Sequence, residues 1–183
     1  MTPPTTFPLP PKLRFFSMYH NDSDRFPNRK RPRLASFNYS TPNYYFITIC
    51  THNKKCIFGK PNQLNAFGNI ALQALTDIQR HFPNVTVNKA VVMPNHVHAI
   101  IVLDGHGTNL SVVVGLYKSY VSKQIHNISP NLKVWQTSFH DHVIRGQQSY
   151  EKIWNYIDGN PSKWEDDCFY IYESDYSSWS AGS

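Results

Sequence analysis

At 183 residues the chain is long enough for one domain with a buried core, and its 40% apolar content is ordinary. No apolar run approaches the ~18 residues that span a bilayer, and no secretory leader is expected at the start, so a cytoplasmic protein follows. Three cysteines, Cys50, Cys56 and Cys168, are odd in number and lack paired spacing, which argues against a disulfide framework and a zinc knuckle. The net charge of +6 is uneven. Residues 1–43 carry seven Lys/Arg against two Asp/Glu, residues 44–149 nine against three, and residues 150–183 two against seven. A basic body with an acidic tail suits a polyanionic partner, most simply nucleic acid.

Three regions are expected: a flexible, basic, Pro-rich segment over 1–34, a catalytic domain over 35–167, and an acidic, aromatic tail over 168–183. The first segment holds seven prolines and few aliphatic residues, so it forms no core of its own. Within it, Arg29, Lys30, Arg31 and Arg33 make a candidate phosphate-contacting arm. Residues 44–51, rich in aromatic and β-branched side chains, predict a strand between Pro42-Asn43 and His52-Asn53. Phe67, Ala71, Leu75, Ile78 and Phe82 fall at helical spacing over 65–81, and Pro83-Asn84 ends that run.

Two apolar strands then meet at Pro94-Asn95. The second opens with His96-Val97-His98. Side chains alternate faces along a strand, so both histidines point one way, about 7 Å apart at Cα. Two imidazoles so placed can close on one divalent metal, Mg²⁺ or Mn²⁺ for phosphoryl chemistry. The triplet alone also fits two histidines on the polar face of a half-buried strand.

A second helix is predicted over about 110–127, with Leu110, Val114, Tyr117, Val121 and Ile125 on one stripe. At about 100° per residue, Tyr117 lies within roughly 40° of the stripe's centre and Tyr120 roughly 90° off it. Tyr117 therefore reads as core, and Tyr120 as a tyrosine with an available hydroxyl. Gln124 is its neighbour one turn on, and Lys123 on the solvent side and Lys118 next to Tyr117 are candidate DNA contacts. An amide oxygen from Gln124 added to the histidine pair would furnish a metal site beside a phenol nucleophile. A strand over 134–144 and a helix over 148–158 follow, with Gly159 as a C-cap and Asn160-Pro161 as a breaker. Trp164, Phe169 and Tyr170 order the remainder only if they dock. The order strand, helix, strand, strand, helix, strand resembles a ferredoxin-like α+β sandwich, with an antiparallel sheet and a central histidine strand.

Together these residues resemble the single-tyrosine HUH transposases, in particular the REP-associated tyrosine transposases. The likeness runs from about Arg31 to Asp167. It includes Tyr45-Phe46-Ile47-Thr48-Ile49-Cys50-Thr51, Val92-Met93-Pro94-Asn95-His96-Val97-His98, Tyr117-Lys118-Ser119, Val134-Trp135-Gln136 and Tyr156-Ile157-Asp158-Gly159-Asn160-Pro161. The resemblance implies an HUH endonuclease fold and a metal on His96 and His98. It also implies a helix-borne tyrosine joined to the 5′ phosphate of cut single-stranded hairpin DNA. Insertion-sequence members place a metal-binding Gln four residues after that tyrosine, which Tyr120 and Gln124 match. Where some close relatives carry tyrosines after the Trp-Gln pair, this chain has Thr137-Ser138-Phe139-His140. A nucleoid-associated cytoplasmic enzyme follows, with a homodimer left open.

The alternative is a non-catalytic, domesticated binder of single-stranded nucleic acid, using an RRM-like sheet on which Tyr44, Tyr45 and Phe46 stack bases. It leaves His96 and His98 without a purpose. A metallohydrolase barrel needs about 200–250 residues and repeated βα units, and the chain has neither.

Overall fold

The computed structural model describes residues 42–170. Arg29, Lys30, Arg31 and Arg33, the segment 1–34 and the tail beyond 170 lie outside them.

Within that range β1 (Asn43–Cys50) leads, through a short hairpin of β2 (Gly59–Lys60) and β3 (Gln63–Leu64), to α1 (Ala66–His81). Asn65 caps this helix, its side-chain oxygen accepting from the Gly68 amide at 3.0 Å, a contact worth about 1 kcal/mol. Gly68 is required there, because a Cβ would stand 2.3 Å from the Phe58 carbonyl oxygen. Then come β4 (Val85–Met93), β5 (His96–Leu103), α2 (Leu110–His126), β6 (His140–Ile144) and α3 (Gln147–Gly159). The main sheet is antiparallel, in the order β4-β5-β1-β6, so the histidine strand is central. This is the expected α+β arrangement.

Strand alternation divides the interior in two. Tyr45, Ile47, Ile49, Val97, Ala99, Ile101 and Leu103 face α1 and α2. Tyr44, Phe46 and Ile100 face Tyr150, Ile153, Trp154 and Ile157 of α3. His96 and His98 share the register parity of Ile100, so they belong to the α3 side. Lys89 of β4 ties this layer further by an ion pair to Asp158 and by lying over the Trp154 ring.

Three expectations need correction. The strand expected over 134–144 forms only from His140. Ahead of it, Trp135 makes a lone bridge to Thr51, and the carbonyls of Gln136 and Thr137 accept from the Lys118 ammonium instead of a ladder. Gly159 is not a left-handed cap. Its φ is −82°, and the chain continues through Asn160–Asp166 as 3-10 helix with Pro161 in its first turn. Finally, the aromatics proposed to stack bases are buried, Tyr44 and Phe46 beneath α3 and Tyr45 beneath α1 and α2. No open sheet face remains at those residues for an RRM-like platform.

Candidate active site and metal centre

Both histidines are inside the protein, at 0% and 1% exposure. Their rings are 4.4 Å apart. Phe46 packs on His98, while Phe169 lies 4.7 Å and Trp164 6.0 Å from His96 between ring centroids. Burial holds His96 down at about 3, with the nearby Lys54 charge adding to the effect. It also lowers His98 well below the usual histidine range, with His96 adding and Asp167 opposing. Both imidazoles are neutral near pH 7, the form that ligates metals.

Which nitrogen of His96 carries the proton follows from its neighbours. The Asn95 amide nitrogen donates to the carbonyls of Lys54 at 3.1 Å and Phe169 at 2.8 Å. That orientation turns its oxygen to His96 Nδ1, 2.8 Å away, where it can only accept. His96 therefore carries its proton on Nδ1 and presents a lone pair at Nε2. His98 Nδ1 is likewise engaged, by the Thr48 hydroxyl at 2.9 Å. Both Nε2 atoms face the same space, and the groups behind them are of the kind that orient metal-binding histidines.

The helix that reaches this space is α3. The Tyr156 hydroxyl lies 3.2 Å from His98 Nε2 and 3.4 Å from Asp167 Oδ2. Because the helical path runs on past Gly159, Asn160 falls one turn after Tyr156 on the same side. Its amide nitrogen donates to Asp167 Oδ2 at 2.7 Å. Burial, and then the Asp167 charge, push the Tyr156 hydroxyl well above the ordinary tyrosine range. Tyr156 and Asn160 line a pocket of about 140 Å³ together with Lys163, Asp166 and Asp167.

Two buried polar atoms here have no partner: His96 Nε2 and Asn160 Oδ1. An orphaned lone pair on each costs about 1–3 kcal/mol unless something fills it. Two neutral imidazole nitrogens, an amide oxygen and a carboxylate are a donor set that fits a divalent cation of the Mg²⁺ or Mn²⁺ kind.

Tyr120 and Gln124 are not brought to this set. They ride on α2, whose Tyr117, Val121 and Ile125 pack against the other face of the sheet. Tyr120 is 47% exposed there, and Tyr117 is core as expected, its hydroxyl donating to the Ala71 carbonyl. The sheet itself separates Tyr120 from the histidines, which corrects its assignment as the tyrosine at the metal and that of Gln124 as a ligand. Lys123 is exposed on the same helix. Lys118 spends its ammonium on Gln136 and Thr137 carbonyls, at 2.6 and 3.0 Å, so it clamps a loop. Sequence reasoning missed Tyr156, Asn160 and Asp167. One signal was present: Tyr156 and Asn160 repeat the tyrosine-then-amide spacing of four, but Gly159-Asn160-Pro161 read as a helix stop.

A sheet-mounted histidine pair faced by a helical tyrosine defines a site suited to phosphoryl transfer. The chain belongs to the IS200-like transposase family, whose pattern matches residues 39–160. It is thus an enzyme of the transposase class. An uncharacterised Haemophilus influenzae protein is 33% identical over 169 residues, covering 79% of this chain and 94% of its own. Among solved structures, a REP-associated tyrosine transposase bound to a REP hairpin superposes with a TM-score of 0.54 at 20% identity. It covers 88% of this chain and 86% of that one, a likeness of fold. No helix of the described residues is long and apolar enough to cross a membrane.

Proposed function

We propose that this chain cuts and rejoins single-stranded, hairpin-forming DNA through a covalent 5′-phosphotyrosine at Tyr156. A divalent ion, Mg²⁺ or Mn²⁺, would be held by His96, His98 and Asn160. The observation that carries the reading is the 3.2 Å contact between the Tyr156 hydroxyl and His98 Nε2. Tyr156 and Asn160 take these roles in place of Tyr120 and Gln124 because they have the same spacing and lie on the histidine side of the sheet.

The ion would polarise the scissile phosphate and offset its developing charge. Tyr156 supplies the attacking oxygen. A phenol held above its ordinary pKa is a poor nucleophile by itself, which is why it needs that setting. As the tyrosine oxygen bonds to phosphorus, the bond from phosphorus to the 3′ oxygen breaks. With His98 Nε2 committed to the ion, the hydroxyl proton has Asp167 Oδ2 as its acceptor, and the departing 3′ oxygen takes up a proton to leave as a hydroxyl. One phosphodiester is exchanged for another, so an incoming 3′ hydroxyl can reverse the step and reseal the strand. Outside the site, Arg29, Lys30, Arg31 and Arg33 would add phosphate contacts. Such a substrate places the enzyme at the nucleoid.

The test is a labelled single-stranded hairpin incubated with the full chain and Mn²⁺, then denatured. A protein–DNA adduct that survives denaturation should form with wild type and Tyr120→Phe, and be absent with Tyr156→Phe while hairpin binding persists. Mass spectrometry that maps the phosphodiester to Tyr120 or another tyrosine would overturn the assignment. Hairpin binding with no adduct from wild type would return the chain to the binding-module reading.

A further inference from the structure

Asp167 belongs to no strand or long helix, and nothing in the sequence singles it out. It follows the 3-10 turn after α3, yet its side chain is only 1% exposed. A carboxylate taken out of water is costly unless a cation or several donors meet it. Its donors are neutral: the Asn160 amide at 2.7 Å, the Phe169 backbone N–H at 2.7 Å and the Tyr156 hydroxyl at 3.4 Å. Among the described residues no Lys or Arg forms an ion pair with it. Its nearest basic group is His96, whose Nε2 is 4.0 Å away and has no partner.

That separation is informative. A hydrogen bond would draw the two atoms to about 2.7–2.9 Å. Two donors sharing one ion, each at about 2.1 Å from it, stand farther apart, at about 3–4 Å. The ligand atoms of His96, His98 and Asp167 all lie within 4.8 Å of one another, close to the span of donor atoms gathered around one ion. A buried anion facing two neutral imidazoles is the charge pattern of a divalent cation site.

We infer that Asp167 is a protein ligand to the divalent ion of the histidine pair, and that filling the site docks the turn 164–170. The inference rests on the reading that His96 and His98 hold the ion. Its second half follows from a chain of bonds. Asp167 Oδ1 accepts from the Phe169 N–H, the Phe169 carbonyl accepts from Asn95, and Asn95 holds His96. An ion joining Asp167 to His96 closes this loop, and the ordering of the turn becomes part of the binding free energy. The carboxylate also supplies the hard, anionic oxygen that two imidazoles and an amide lack.

The experiment uses the full chain, stripped of metal and titrated with Mn²⁺ by calorimetry, with amide exchange of the peptide covering 164–170 followed in parallel. Wild type should bind Mn²⁺ and gain protection in that peptide on binding. Asp167→Asn keeps the shape and most hydrogen bonds; it should weaken Mn²⁺ binding roughly tenfold or more and lose the metal-dependent protection. Asp167→Glu should retain most of both. Asp167→Asn binding as tightly as wild type, with His96→Ala not binding, overturns the role of Asp167 and leaves the histidine site standing. A wild-type chain that binds no Mn²⁺ overturns both. Equal losses in Asn and Glu variants, with exchange raised across the whole domain, would show a purely structural carboxylate and also overturn the inference.

Discussion

The side chain of Asn95 decides which nitrogen of His96 is protonated. Its amide nitrogen is committed to the carbonyls of Lys54 and Phe169, so its oxygen must accept from His96 Nδ1, leaving Nε2 as a lone pair. Asn95→Ala removes three side-chain hydrogen bonds. It should lower stability by about 1–3 kcal/mol and weaken Mn²⁺ binding about tenfold. Urea unfolding and calorimetry measure the two effects, and full metal affinity in a destabilised variant would remove the orienting role.

Removal of metal should abolish chemistry while sparing recognition. In excess chelator, no adduct should form on a hairpin substrate, and hairpin affinity by gel shift should change little, because phosphate and base contacts persist. Full adduct yield in chelator would sink the metal-dependent reading.

The histidine pair should make the metal-free protein acid-sensitive. His96 and His98 are held below the unfolded histidine value near 6.5, His96 at about 3, so the unfolded chain binds protons first as pH falls. Stability is therefore full above about pH 6.5 and is lost below it, with a limiting slope of about 2.7 kcal/mol per unit for two such groups. Urea midpoints in chelator at pH 7.5 and 5.5 test this. A doubly substituted His96→Gln, His98→Gln chain should show a flatter profile; an equally steep one would place the sensitivity elsewhere.

Truncating either histidine should also cost more than a surface change. His96→Ala empties a space between Phe169 and Trp164, and should destabilise the fold by about 1–3 kcal/mol. The burial of both rings departs from the reading of two histidines on the polar face of a half-buried strand. His96→Gln, which fills more of the space, should lose metal binding with a smaller shift in the thermal midpoint.

Lys118 and the N-terminal cations should part company in a salt titration. Lys118→Met loses two charge-assisted bonds to Gln136 and Thr137 and should cost about 1–3 kcal/mol of stability, with the salt slope of DNA binding unchanged. Removing residues 1–34, which carry Arg29, Lys30, Arg31 and Arg33, should flatten that slope. The reverse pattern would make Lys118 a phosphate contact after all.

Periodicity alone was enough to place β1, β4 and β5, the helical stripes and the side-by-side histidines His96 and His98, whereas the strand expected over 134–144 came out shorter. Those placements follow from side-chain periods of two and about 3.6, which are local and survive any arrangement of the pieces. The same periodicity made Tyr117 core and left Tyr120 at an edge, and both readings hold. What it could not supply is which face of the sheet each helix covers, since an apolar stripe fits either face. Tertiary packing put α2 across from the histidines and α3 upon them, so Tyr156 has the position that Tyr120 lacks. Asn160 was hidden for a related reason. Gly and Pro on either side signal a stop, yet the chain passes from α-helix to 3-10 helix there, because Gly159 keeps a right-handed φ and Pro161 enters at a first-turn position. Asp167 depended wholly on tertiary structure: only the docking of Trp164 and Phe169 over His96 turns an acidic residue at the end of the domain toward a buried pair of imidazoles.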